Sequence, residues 1–192
     1  MSRPPRNPPA ADLYGATYWA TACGPVPYGW HAPWLQHFGA IADQLVARWA
    51  PRTVCDVGCG WGLLVAALRE RGVEAWGIDA SSYAVAQARP DVAPYIARGS
   101  VLHPLPGRFD VVTCIEVLEH LPAPMAPLAV RHLAEGADRI LFSASPDDDR
   151  EPTHVHLKPP AYWARLFAGY GFAVVGSALW VAPQALLFER AP

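Results

Sequence analysis

The stretch Val54–Gly62, VCDVGCGWG, decides the fold. Its apolar head reads as a buried strand, and the glycines at 58, 60 and 62 mark a loop that must turn sharply through conformations a side chain resists. LLVAALRERG (63–72) follows with helical periodicity and stops at Gly72. Strand, glycine loop and helix in that order form a unit whose backbone can approach a ligand closely.

The alternation continues outward from this unit. EAWGIDA (74–80) reads as strand, SSYAVAQARP (81–90) as helix, and YIARGSV (95–101) and FDVVTCIEV (109–117) as further strands. A helix is expected near PLAVRHLAEGA (127–137), a strand at RILFSAS (139–145) and a helix in PAYWARLFAGYG (160–171). Two strands close the chain, in FAVVGSALWV (172–181) and QALLFER (184–190). Regular alternation predicts an α/β, Rossmann-like fold: a mostly parallel sheet, helices on both faces, ligands at the carboxyl ends of the strands. Upstream, Trp34, Phe38, Ile41, Leu45 and Trp49 recur at helical spacing until Pro51. Tyr14–Trp34 is rich in aromatics but broken by Gly and Pro, and reads as a folded cap, with Tyr18, Tyr28 and Trp30 as candidates to line a site. The expected organisation is a disordered tail at 1–11, the aromatic cap and helix at 12–50, and the ligand-binding domain at 51–192.

Composition narrows the partners. With 192 residues, 52% hydrophobic, there is material for one domain with a substantial core. Net charge is −2, and the basic patches of a nucleic-acid binder are absent, so a small molecule is the better partner. The N-terminus lacks the apolar core of a signal peptide, and no apolar stretch reaches membrane length, so no membrane association and a cytoplasmic location are expected. Cys23, Cys55, Cys59 and Cys114 lack paired spacing and read as reduced thiols, not a zinc site. A homodimer is one assembly that the sequence admits.

The spacing of the loop discriminates between ligands. A dinucleotide fingerprint needs a glycine where this chain has Leu63, and Asp56 places a carboxylate on the loop where a pyrophosphate would sit. A cationic ligand, such as a sulfonium amino acid, suits that charge better. Asp79, ending the second strand, lies where ribose hydroxyls could donate to it; the competing reading is a helix cap, with Ser81 or Ser82 as rival caps.

Together these motifs resemble those of the class I S-adenosylmethionine-dependent methyltransferases. CDVGCGWG (55–62) is similar to their first motif, WGIDAS (76–81) to their second, and FDVVTCIEVLEHLP (109–122) to that of the fourth strand. PTHVHLKPPAYWARLFAGYGF (152–172) resembles a segment of a bacterial small-molecule branch, and the likeness covers about residues 12–190. The resemblance implies a seven-stranded sheet with an antiparallel last strand, and S-adenosylmethionine as cofactor. It implies that Gly58, Gly60 and Gly62 admit the methionine portion, Asp56 holds its ammonium, Asp79 binds ribose and Ala80 borders adenine. Where many relatives carry an acidic residue toward adenine, this chain has Ser100 and Val101, so backbone and apolar contacts are expected there.

For chemistry, the candidates are His120, His154 and Glu116. His120 ends the fourth-strand motif, and its alternative is to pack the turn before Pro122. His154 and His156 lie in a loop on the same side, next to the acidic run Asp147–Glu151. Glu116, Glu119 and His120 would share one face of a helix, an arrangement similar to a metal-binding Glu-x-x-Glu-His of quinone O-methyltransferases; no metal is expected to be required. The function expected is methyl transfer to a small-molecule acceptor, foremost an oxygen of a sugar or specialised metabolite. The alternatives are a donor-binding subunit without turnover and a nicotinamide oxidoreductase, the latter disfavoured by Leu63.

Overall fold

The computed structural model describes residues 11–192, so the tail expected at 1–11 lies almost wholly outside the described residues. Seven strands form one sheet in the order β3-β2-β1-β4-β5-β7-β6. β1 (Thr53–Val57), β2 (Glu74–Asp79), β3 (Ile96–Arg98), β4 (Val111–Ile115) and β5 (Arg139–Ser143) run parallel. β7 (Leu186–Arg190) inserts antiparallel between β5 and β6 (Phe172–Ser177). The antiparallel last strand implied by the resemblance is therefore present.

Burial explains the strand sequences. In β1, Val54 packs into the core on one face of the sheet, while Cys55 and Val57 pack into the core on the other, which is why the strand is apolar on both faces apart from Asp56 near its carboxyl end. α2 (Ala32–Trp49) and α3 (Leu63–Glu70) cover the first face, through Ile41, Leu45, Leu64 and Leu68. α5 (Ala126–Gly136) and α6 (Pro160–Ala168) cover the second, through Leu133, Trp163 and Phe167. Pro51 follows α2, whose carboxyl end is closed by Ala50 in the left-handed conformation at φ 41°.

Two elements are shorter than the sequence suggests. α4 spans only Ser82–Ala86, because Pro90 disfavours helix in the residue before it and Gln87 already leaves it. β3, at the sheet edge, stops at Arg98, after which Ser100 accepts from Leu102 N through its own Oγ (3.2 Å) to form a turn. The cap consists of a 3-10 turn at Ala11–Tyr14, α1 (Ala16–Thr21) and an irregular run to α2.

Strand order reverses between β1 and β4, and in open α/β sheets that switch point opens a crevice beyond the carboxyl ends. The cap lies across this crevice, with Trp19, Tyr28 and Leu63 packed in one cluster.

Candidate active site

The glycine loop leaves β1 under tight constraint. Gly58 has φ +79°, and a Cβ there would come within 2.2 Å of Val117 Cγ2. At Gly60, φ +57°, it would meet the Tyr28 hydroxyl at 2.9 Å and the Trp19 ring at 3.1 Å. Only glycine gives both the turn and the room under the cap.

Two carboxylates flank the loop, both nearly sealed from solvent. Asp79 Oδ2 accepts from Gly60 N at 2.8 Å and Oδ1 from Ser81 N at 2.7 Å, so it ties the loop to the following turn. Each oxygen keeps a lone pair for a hydroxyl donor. Burial pushes its pKa up to about 6, against the pull of both backbone bonds. The helix cap is Ser81, whose Oγ accepts from Ala84 N at 3.0 Å and donates to the Tyr14 carbonyl at 2.7 Å, holding the cap segment down. Asp56 accepts a 2.6 Å bond from Thr113 Oγ1 of β4. Burial raises it to about 7; the Thr113 bond opposes the rise and the nearby Asp79 charge adds to it.

Two cavities open over the strand ends. The larger, about 580 Å³, is bordered by Asp56, Gly58, Gly60, Glu116, His120 and His154 below and by aromatic side chains of the cap above. The smaller, about 120 Å³, is bordered by Gly58, Asp79, Ala80, Ser100, Val101 and Glu116. Tyr18, Trp19, Gly58, Glu116 and His120 border both, so one wall separates the smaller cavity, beside Asp79, from the wider chamber. Gly62 borders neither: it caps the start of α3, and its missing side chain makes room for Val92 and Ile96. Tyr18 and Tyr28 line the larger chamber, but Trp30 does not. Its indole donates to the Gln87 carbonyl at 3.0 Å, which corrects its expected place in the site.

The segment after β4 departs from the expected helical face. Glu116 takes φ +53° and Leu118–His120 form a 3-10 turn, so the i, i+3, i+4 geometry does not exist. Glu116 Oε1 accepts from Gln184 Nε2 at 3.0 Å. Glu119 is fully buried, with Oε1 accepting from Ser145 N at 3.0 Å. Burial and the adjacent Glu116 carboxylate keep Glu119 protonated well above the usual carboxylate range. The group whose ligand atoms converge within 4.8 Å is Glu119, His120 and His154, without Glu116. The Glu-x-x-Glu-His donor set implied by the quinone enzymes is therefore not the set brought together: Glu116 bonds Gln184, and His154 joins Glu119 and His120 in its place.

His120 borders both cavities. Its ring lies 4.8 Å from that of His154, and its Nε2 lies 3.4 Å from the Tyr18 hydroxyl. Burial, with repulsion from His154, lowers its pKa to about 4, so it is neutral at pH 7. His154 Nδ1 bonds the Asp148 carbonyl at 2.7 Å, which leaves Nε2 as its free nitrogen. His156 packs instead between Tyr162 and Trp163 and borders neither cavity.

Comparison with known proteins agrees with this architecture. A family model described as a methyltransferase domain matches residues 34–177. The chain belongs to this methyltransferase family. The ubiquinone biosynthesis O-methyltransferase of Pseudomonas paraeruginosa is 41% identical over 137 residues, which are 67% of this chain and 51% of that protein. Its Azoarcus counterpart is 34% identical over the same shares. The chain thus spans about half the length of the curated relatives it matches. Among solved structures, magnesium protoporphyrin IX methyltransferase from Synechocystis PCC 6803 with bound SAM superposes with a TM-score of 0.70 at 21% identity, covering 95% of this chain and 98% of that one. The mitomycin 7-O-methyltransferase shares the fold with a TM-score of 0.64 at 18% identity, over 82% and 54% of the two chains.

Several residues of this methyltransferase site give no local signal in the sequence. Thr113 sits mid-strand and matters only because β4 pairs with β1 in the register that sets it opposite Asp56. His132, on α5, bonds the Val101 carbonyl at 2.9 Å and holds the turn after β3. Trp19 forms the partition between the cavities. Glu151, which ends the acidic run Asp147–Glu151, and Thr153, which follows it, join His120 through hydrogen bonds although that run reads as surface.

Proposed function

We propose that the protein transfers the methyl group of S-adenosylmethionine to a ring hydroxyl of a small specialised metabolite. The observation that carries this reading is the shared wall: the cavity bordered by Asp79 and Ala80 meets a roomier, aromatic-roofed chamber at Glu116 and His120. Family membership and the chemistry of the residues support S-adenosylmethionine as the donor. Asp79 can accept from ribose, Asp56 is a buried carboxylate suited to an ammonium, and Gly58 and Gly60 leave the backbone bare between them. Bound there, the donor supplies an electrophilic methyl on a sulfonium.

The chain's own residues then hold the acceptor and take its proton. As the acceptor oxygen bonds the methyl carbon, the carbon–sulfur electron pair returns to sulfur and the hydroxyl proton passes to His120 Nε2. Positioning supplies much of the acceleration in such displacements, on the order of 7–11 kcal/mol in favourable cases. Trp19 and Tyr28 keep water from the wall where the transfer occurs.

The weak basicity of His120 favours one acceptor class. Removing a phenolic proton, of pKa about 10, with a base near 4 is uphill by roughly 8 kcal/mol, and transfer concerted with methylation offsets it. An aliphatic hydroxyl with a pKa close to that of water, about 15.7, roughly doubles that climb. The aromatic roof, Trp34 and Phe38 included, also suits a flat ring better than a sugar. The names of the Pseudomonas and Azoarcus relatives support oxygen as the acceptor atom. A donor-binding subunit without turnover is less favoured, since it would be marked by an obstructed chamber.

The test is incubation with methyl-labelled S-adenosylmethionine and a panel of hydroxylated aromatics, with sugars as the comparison set. Label transfer to phenolic or naphtholic oxygen is the expected result. Transfer to sugars alone would overturn the acceptor class, and donor binding without any transfer would favour the subunit reading.

A further inference from the structure

His120 is bonded on both ring nitrogens, and its partners leave no freedom in where its proton sits. Nδ1 lies 2.9 Å from Thr153 Oγ1 and 3.3 Å from the Thr153 carbonyl oxygen. A carbonyl only accepts. Thr153 Oγ1 in turn donates to Glu151 Oε1 at 2.8 Å, and the same carboxylate oxygen accepts from Thr153 N at 2.8 Å. The single hydroxyl hydrogen is thus committed to Glu151, and Oγ1 can only accept from the histidine. Both neighbours of Nδ1 demand a proton there, which leaves the lone pair on Nε2, the nitrogen facing Tyr18 and the wall between the cavities.

We propose that Thr153 and Glu151 are positioning residues that lock His120 in the Nδ1–H tautomer, so that Nε2 is always presented as the proton acceptor. The proposal rests on the reading of His120 as the base. When Nε2 takes the acceptor's proton, Nδ1–H stays on Thr153 Oγ1, and the Glu151 carboxylate at the far end of the chain of hydrogen bonds balances the imidazolium. No proton needs to move along that chain. The other groups facing His120 are Tyr14 (ring centroids 5.5 Å apart), Tyr18, His154 and Glu119. Burial pushes both tyrosines and Glu119 toward their neutral forms, and Glu151 is the carboxylate at the end of this hydrogen-bonded chain. Nothing in the local sequence Glu151-Pro152-Thr153 signals this, because the partner lies 33 residues upstream of Thr153.

Nitrogen-15 NMR of the imidazole rings in the whole protein tests it, with His120→Asn assigning the signal. At pH 7, without donor or acceptor, wild-type His120 is expected in the Nδ1–H form only. Thr153→Val should let the Nε2–H form rise above roughly a tenth of the population, since only the more distant carbonyl then holds Nδ1–H, and Thr153→Ser should restore the wild-type signal. Glu151→Gln should also move the population, because an amide can turn its NH2 group toward Thr153 and free the hydroxyl to donate; it serves if the valine variant does not fold. An Nε2–H signal in wild type, or variants indistinguishable from it, would overturn the proposal. The readout needs no turnover. A protein with the locked tautomer that methylates nothing refutes the functional reading and leaves the lock intact; an active enzyme with a mixed tautomer does the reverse.

Discussion

Replacing Asp56 by asparagine should make the ligand-free protein more stable, and more so as pH rises. The Asp56 carboxyl is 5% exposed and is raised from 3.8 to about 7 by burial, partly opposed by the Thr113 bond. A carboxyl whose folded pKa lies above its unfolded one favours the fold fully below the unfolded value and loses that contribution as pH climbs through the folded value. For Asp56 the window is about pH 4 to 7. At pH 5 the ionisation the folded state resists costs on the order of 1–2 kcal/mol; by pH 8 it reaches about 4 kcal/mol, from the step of 3.8 to about 7. Asparagine keeps an oxygen for Thr113 and removes the charge, so its advantage should widen by about 2–3 kcal/mol between these pH values. In a chain of this length that is about 5–10 °C in Tm. Differential scanning calorimetry of both proteins at pH 5 and pH 8, without donor, reads the difference directly. A gap that stays constant with pH, or an asparagine variant less stable at pH 8, would show that Asp56 is not a buried charge held at a cost. The same substitution should weaken S-adenosylmethionine if, as proposed, that buried charge meets the donor's ammonium.

Other expectations follow from the same geometry. Asp79→Ala should weaken S-adenosylmethionine at least tenfold in a calorimetric titration, about 1.4 kcal/mol, through loss of the ribose acceptor and of the tie to Gly60; an unchanged Kd would remove the ribose role. His120→Ala should lower kcat by about 10²–10⁴-fold while leaving donor Kd within twofold, and full turnover would show that no base is needed there. Turnover should survive exhaustive chelation, since Glu116 is engaged by Gln184 and stands outside the group of Glu119 with the histidines; loss of activity restored by one divalent cation would contradict this.

The fold was legible because it is written locally. Both faces of β1 are buried, so its sequence is mostly apolar, and the glycine loop ends it with residues that no strand or helix would choose. Asp56 and Asp79 were legible for the same reason, since each occupies the carboxyl end of a strand and needs only the strand to be placed. Glu119 was not. Its spacing from Glu116 fits a helix, but Glu116 turns through φ +53° and sends Glu119 inward against Ser145. Trp30 failed similarly: aromatic content marks the cap, but only tertiary packing decides which ring faces the chamber and which donates to Gln87. The hydrogen bonds joining Glu151, Thr153 and His120 depend on the loop after β5 folding back onto the turn after β4, and no periodicity reports that contact.

The central claim is that the glycine loop and the two carboxylates hold a sulfonium nucleoside. Calorimetric titration of the purified protein with S-adenosylmethionine, S-adenosylhomocysteine and NADH tests it most directly. Saturable binding of the first two, with the sulfonium form losing affinity in Asp56→Asn, and no heat from NADH, is the predicted result. Binding of NADH in their place would contradict the account.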